Sequence, residues 1–455
     1  MYTITCPIYD LSKSTPNHVA VELDNKKVTY FQLNRLINTI SNQLLEKNVQ
    51  KGSVIIITSN DYYFSLVCTW ALFRLGAIAF SLNHRFSDKI IYSYFQETKA
   101  LCVLSNEENR YKQQFKLSFD SVSTLTDDPV PRLSLNQIAT YLLTSGSTGT
   151  SKIAVHSFGS FYSNARLSTT FMGLNNESKY LFNLPMYHVS GLSIVFRALL
   201  NAATLLFSTN KNVSKLIETA QVTHLSLVET QLLRLLEDKK ANYTFLKAVL
   251  LGGSSISQGT IDKALERKLP ILQSYGLTEA SSQVFTKNLQ THSTIFTCEI
   301  KIENKQISIK GVPLFLGYYE NGLITLPLDE DGYFRTKDLG ELSQESHLKV
   351  NGRADNCFIS GGENISPEEI EMHMLKLPGI KKVIVVPRKD AKFQYCPVAF
   401  VDSDELNPTN TQSWKTLLLK DMPNYKIPKE IFPWPTLTDS TRSKINRSDF
   451  SKLIS

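Results

Sequence analysis

Short apolar runs recur along this chain at 54–58, 101–105, 139–143, 180–184, 204–208, 223–228, 248–251 and 271–274, with helical stretches between them. That alternation constrains the fold more than any other feature. A strand that is apolar on both faces must be covered on both, which places it in a parallel sheet between layers of helix. The expectation is an α/β protein whose large N-terminal part is built of doubly wound sheets. Several runs end in glycine- or hydroxyl-bearing turns, and open α/β sheets bind ligands at the C-terminal ends of their strands. The stretch 64–82 has the apolarity of a membrane span, but Arg74 and Gly76 interrupt it. It reads as a buried helix running into a short strand at 77–81.

At 455 residues the chain exceeds one ordinary core. From about 296 to 350 the texture changes to short alternating strands and tight turns, a small β subdomain. After residue 352 a compact α+β unit begins. Ser366 reads as a hydroxyl N-cap, with Pro367 in the first turn and Glu368 and Glu369 facing the positive helix end. Ile370, Met374 and Leu377 fall on one face before Pro378 and Gly379 stop the helix. Strands are expected at 383–386 and 398–401, and part of a second helix at 414–419. The organisation is therefore residues 1–352 as the N-terminal domain and 353–455 as a small, mobile C-terminal domain.

The formal charge is +7, from 49 Lys+Arg against 42 Asp+Glu. The excess suits polyanionic small ligands, but it is spread without a basic run, so nucleic-acid binding has no support. The cysteines (Cys6, Cys68, Cys102, Cys298, Cys357, Cys396) contain no C-x-x-C pair, which fits a reducing compartment without disulfides or zinc. No signal peptide is visible at the N-terminus, and a cytoplasmic protein without membrane insertion is expected. A homodimer is compatible with all of this.

The run at 139–143 leads straight into Thr144, Ser145, Gly146, Ser147, Thr148, Gly149, Thr150, Ser151 and Lys152. Glycines let backbone N–H groups approach an anion, and hydroxyls add donors that tolerate many phosphate orientations. Lys152 supplies a compact charge for a phosphate oxygen. The segment is not a Walker A loop, because Ser151 stands where that motif has glycine and Ile153 follows the lysine. It reads as a phosphate cradle, against a surface linker of the same composition.

Further segments carry candidate chemistry. His188 and Ser190 follow a strand among small residues. Gly252, Gly253 and Ser254 end a strand in a turn able to line a flat ring. Ser274, Tyr275, Gly276, Thr278 and Glu279 offer an aromatic face, a flexible turn, hydroxyls and a carboxylate. Asp338 is expected just before a turn, and Arg353 and Asp355 lie where the two domains join. Singly, each is as easily a cap or turn residue.

In this order the segments resemble the adenylate-forming superfamily of acyl- and aryl-CoA ligases, carrier-protein adenylation domains and beetle luciferases. The resemblance covers nearly the whole chain, from Val28 to Lys444. It implies that residues 144–152 wrap the ATP phosphates and that Gly252, Gly253 and Ser254 border adenine, with Tyr275 stacking on it. Thr278 would meet the phosphate, Glu279 would hold Mg²⁺, and Asp338 and Arg353 would grip the ribose. Asp355 falls at the family's hinge, and Ser360, Gly361 and Gly362 would line the pantetheine tunnel for coenzyme A. The catalytic lysine position falls on Lys444, with Ser443 in place of the family's glycine and Ser440 in place of its threonine.

The segment 184–197 is similar to that of the o-succinylbenzoate–CoA ligases of menaquinone synthesis, whose substrate carries a second carboxylate. Arg197 would meet that anionic tail, since guanidinium binds carboxylate bidentately. His188 and Ser190 would shape the same pocket, with His188 among the catalytic candidates. The alternatives are another aryl- or fatty-acyl-CoA ligase, which needs no buried cation in the acyl pocket, and a stand-alone adenylation domain, which loads a carrier protein and ignores free CoA.

Overall fold

The apolar runs form strands of two large sheets, interior ones except for that at 101–105, which lies on an edge. The computed structural model describes residues 2–24, 26–119, 130–144, 151–253, 256, 258–343, 347–360, 363–391, 393–435 and 447–454. In the first sheet, Ile138–Thr144, Ile78–Ser81, Val54–Ile57 and Cys102–Leu104 lie side by side in parallel. Lys152–Ser157 returns antiparallel along Ile138–Thr144, with Thr144 opposite Lys152. That register puts the two ends of the hydroxyl-rich segment beside each other at a strand's C-terminal edge.

The second sheet runs parallel through Thr204–Phe207, Lys179–Leu181, His224–Leu227, Ala248–Leu251 and Ile271–Leu277. It finishes antiparallel with Ser282–Asn288 and Thr294–Phe296. Every residue of Val54–Ile57, Thr204–Phe207, His224–Leu227 and Ala248–Leu251 is buried, as continuous apolar runs require. The helix Tyr62–Leu75 starts on Asp61, whose carboxylate accepts from the Tyr63 and Phe64 N–H groups, and stops at left-handed Gly76. It is buried on nearly all sides, the helix-then-strand reading of the 64–82 stretch. Among the described residues no helix is long and apolar enough to cross a membrane, and all six cysteines are free.

The β-rich stretch divides between sheets. Glu299–Glu303, Gln306–Lys310, Phe334–Leu342 and Leu348–Arg353 form a separate antiparallel sheet. Gly317–Glu320 instead pairs with Lys152–Ser157 and extends the first large sheet. Asp338 is therefore not before a turn: it sits within a strand, opposite Arg353.

Past residue 353, the helices Pro367–Met374 and Pro408–Asp421 share a core with the hairpin of Lys382–Asp390 and Gln394–Asp402. Ile370, Met374, Val385, Ala399, Trp414 and Leu418 fill it. Ser366 occupies the N-cap position, but its hydroxyl makes no capping bond and points to Glu368 Oε2 at 3.5 Å. The helix start rests on Pro367 and the first-turn acids rather than on the expected serine cap.

Candidate active site

A cleft of about 3330 Å³ runs along the strand ends and reaches the helix Pro367–Met374. Thr144, Lys152, His188, Ser190, Arg197, Gly252, Gly253, Ser274, Tyr275, Gly276, Thr278, Glu279, Asp338, Arg353 and Asp355 all line it. Residues more than two hundred positions apart thus converge on one concave surface, the arrangement expected of a binding site. Ser360 is buried on the strand Phe358–Ser360 and does not line the cleft. Ser145, Gly146, Ser147, Thr148, Gly149, Ser254, Gly361, Gly362 and Lys444 lie outside the described residues.

At one part of the cleft a lysine and a carboxylate meet through a tyrosine that sequence reasoning missed. Tyr318 donates its hydroxyl to Glu279 Oε1 at 2.6 Å, and the Lys152 ammonium lies 4.7 Å from the centre of its ring. Burial, with the adjacent Glu279 charge, pushes the phenol well above its ordinary range, so it stays a donor. Among the described residues Lys152 forms no ion pair, and its charge is free to turn toward an anion. The missing signal is strand pairing: Tyr318 reaches the site because its strand joins that of Lys152.

A second chain of contacts links the large sheet to the end of the strand Leu348–Arg353. Tyr275 donates to Asp338 Oδ2 at 2.6 Å, and Arg353 Nη1 donates to Asp338 Oδ1 at 3.2 Å. Arg353 also grips Asp355 with both arms, at 2.8 and 2.9 Å. Burial raises the Asp338 carboxyl, against the lowering effect of Tyr275 and Arg353. With the hydroxyl of Tyr275 tied down, the ring itself is what remains to meet a ligand. Gly276 sits at a bulge where a Cβ would fall 1.8 Å from the Ser282 carbonyl oxygen, so no other residue fits there.

The third part of the cleft holds a buried cation. Arg197, on the helix Val189–Leu200, is 1% exposed, yet it borders the cleft. Its Nε donates to Ser168 Oγ at 3.2 Å and its Nη2 to Ser282 Oγ at 3.0 Å. Burial lowers its pKa, with Tyr180 opposing the shift. Among the described residues no carboxylate pairs with it, and a buried charge without a counter-ion is costly. His188 is the N-cap residue of the same helix, its ring 4.7 Å from that of Tyr187. Gly191 lets the first helical turn pack on the preceding loop, since a Cβ there would lie 2.1 Å from the Pro185 carbonyl oxygen.

The fold and this cleft define an adenylate-forming enzyme. The model of the AMP-binding enzyme family matches residues 10–314, and the chain belongs to that family. It is 28% identical over 451 residues to the 2-succinylbenzoate–CoA ligase of Listeria monocytogenes, spanning 95% of this chain and 96% of that one. To the same enzyme of Bacillus pumilus it is 29% identical over 461 residues, spanning 95% and 94%. Its structure is similar to the o-succinylbenzoate CoA synthetase of Bacillus subtilis in complex with the acyl-adenylate intermediate, with TM-score 0.87 and 25% identity over 99% of this chain and 98% of that one. The same synthetase in complex with ATP and magnesium ion gives TM-score 0.87 and 25% identity, over 98% and 99%.

Proposed function

We propose that this protein is an o-succinylbenzoate–CoA ligase. It joins the acid's carboxylate to the α-phosphate of ATP, releasing pyrophosphate, and then transfers the acyl group to the thiol of coenzyme A, releasing AMP. The observation that carries the substrate class is Arg197: a buried guanidinium on the cleft wall, without a carboxylate partner among the described residues, suits the second carboxylate of a diacid. The named relatives support the same acid.

On this reading residues 144–152 wrap the triphosphate and Lys152 swings from Tyr318 to a phosphate oxygen. Gly252, Gly253 and Ser254 border adenine, and the face of Tyr275, beside Ser274 and Gly276, stacks on it. Thr278 meets the α-phosphate, while Asp338 and Arg353 hold the ribose. A single carboxylate, Glu279, fits Mg²⁺, which is commonly held by one or two carboxylates together with substrate phosphates. When bound, the ion neutralises charge developing on those phosphates. His188 and Ser190 shape the acyl pocket. Lys444 supplies a further charge to adenylation, where positioning and electrostatics do most of the catalytic work.

The chain divides at residues 352 and 353, and the C-terminal domain turns about Asp355. The turn withdraws Lys444 and brings Ser360, Gly361 and Gly362 to the pantetheine path, excluding water in each step. A cytoplasmic location is supported by the free cysteines, and a homodimer is the oligomer to test by sedimentation. The function is tested by isotope exchange between pyrophosphate and ATP. It should depend on o-succinylbenzoate and Mg²⁺, need no CoA, and yield AMP; formation of ADP would sink the reading.

A further inference from the structure

The short stretch between Glu279 and the strand Ser282–Asn288 takes a strained path. Ser281 has φ 53° and Ser282 φ 114°, consecutive left-handed values in residues that carry a Cβ. Such strain persists only where the surroundings hold it, and it gathers at functional sites. Here the holding groups are buried. Asn164 Nδ2 donates to the Ala280 carbonyl at 3.0 Å and to the Gln283 carbonyl at 2.7 Å. His156 Nδ1 lies 3.1 Å from Ser281 Oγ, and that hydroxyl donates to the Pro313 carbonyl at 2.9 Å.

The Pro313 carbonyl can only accept, so the serine proton is committed to it. The Ser281 lone pair must then accept from His156, which fixes the imidazole proton on Nδ1. His156 Nε2 is left as a buried acceptor without a partner among the described residues. Burial drives the ring down to about 3, which keeps it neutral at working pH. His156 is fully buried and does not border the cleft. A buried polar atom left unsatisfied costs stability, and the bond gained in exchange acts on one thing, the Ser281 corner. That corner delivers Ser282 Oγ to Arg197 Nη2 at 3.0 Å.

We propose that His156 is a positioning residue for acid selection: through Ser281 it holds the strained corner that lets Ser282 aim the Arg197 guanidinium into the acyl pocket. The inference rests on the reading of Arg197 as the anchor of the acid's second carboxylate. It requires a donor at the Nδ1 position and nothing at Nε2. Asparagine places its amide nitrogen near the former, whereas glutamine reaches toward the latter and leucine offers no donor.

The test is steady-state kinetics of His156→Asn, His156→Gln and His156→Leu, with o-succinylbenzoate, ATP and a simple benzoate each varied in turn. His156→Asn should stay near the parent. His156→Gln and His156→Leu should raise KM for the diacid about tenfold, the scale of one lost buried hydrogen bond. The values for ATP and for the benzoate, and kcat, should change little. If His156→Leu fails to fold, the Asn and Gln pair still decides. Equal effects of Asn and Gln, or a KM for ATP that moves with that for the diacid, would overturn the role of His156. A parent enzyme that ignores the diacid would overturn the substrate reading, and this inference with it. A diacid-using parent weakened by Arg197→Ala but indifferent to His156→Gln would overturn this inference alone.

Discussion

Tyr318 stands between Lys152 and Glu279, its hydroxyl given to the carboxylate at 2.6 Å and its ring set 4.7 Å from the ammonium. The tyrosine thus sits between two opposite charges that form no ion pair with each other among the described residues. The bond occupies Glu279 Oε1. Tyr318→Phe removes the donor and keeps the ring. It should raise the Mg²⁺ concentration for half-maximal pyrophosphate exchange by roughly tenfold, the scale of one charge-assisted hydrogen bond, and direct titration of Mg²⁺·ATP binding should follow the same shift. An unchanged Mg²⁺ requirement would leave Tyr318 with packing alone.

Two buried histidines make stability sensitive to mild acid. Burial depresses His156 to about 3 and His224 to about 4, against an ordinary 6.5. Between those values and 6.5 the unfolded chain binds protons that the folded chain refuses, so stability is present above 6.5 and falls as pH drops through that window. From pH 7 to 5.5 each contributes a loss of about 1 kcal/mol, at ~1.4 kcal/mol per pKa unit. Melting curves across that range should show the decline, and His156→Asn should lessen it. A melting temperature flat from pH 7 to 5.5 would contradict the neutral, buried state of both rings.

The strands were legible because their apolar runs are buried on both faces, and a run such as 248–251 has no other way to be covered. The residues that line the cleft were legible through motif order, which set Thr144, Glu279, Asp338 and Arg353 in one list before any contact was known. Three features escaped for physical reasons. Tyr318 depends on which strand pairs with Lys152–Ser157, a long-range choice that a strand's own alternation does not encode. The left-handed Ser281 and Ser282 carry no glycine to advertise them, and the groups that contact this corner, His156, Asn164 and Ser193, come from other parts of the chain. Ser366 offered a capping hydroxyl, but the neighbouring Glu368 carboxylate drew it away from the helix N–H groups.

Lys444→Ala tests the division of labour between the half-reactions. Removing one preorganised charge at a phosphoryl-type transition state typically costs about 10²–10³ in rate. The loss should fall on adenylation, measured by pyrophosphate exchange. Transfer from synthetic acyl-adenylate to CoA should be nearly intact. Equal losses in both, or none in adenylation, would move the catalytic charge elsewhere, with Lys152 the first alternative.

Arg197 gives the sharpest test of the substrate. Its guanidinium is held by Ser168 and Ser282, two neutral acceptors, and among the described residues no carboxylate neutralises it. A carboxylate arriving from the cleft gains a charge-assisted contact of about 1.5–3 kcal/mol. Arg197→Ala should therefore lower kcat/KM for o-succinylbenzoate by roughly 10- to 150-fold, at ~1.4 kcal/mol per decade. Arg197→Lys keeps the charge but cannot span both serines, and it should fall between parent and alanine variant. Monocarboxylic benzoates and medium-chain fatty acids should be poor substrates of the parent and little affected by either change, which separates lost recognition from lost folding. A parent enzyme that prefers a monocarboxylic acid would leave Arg197 without an anion to meet, and the o-succinylbenzoate reading would give way to a broader CoA ligase.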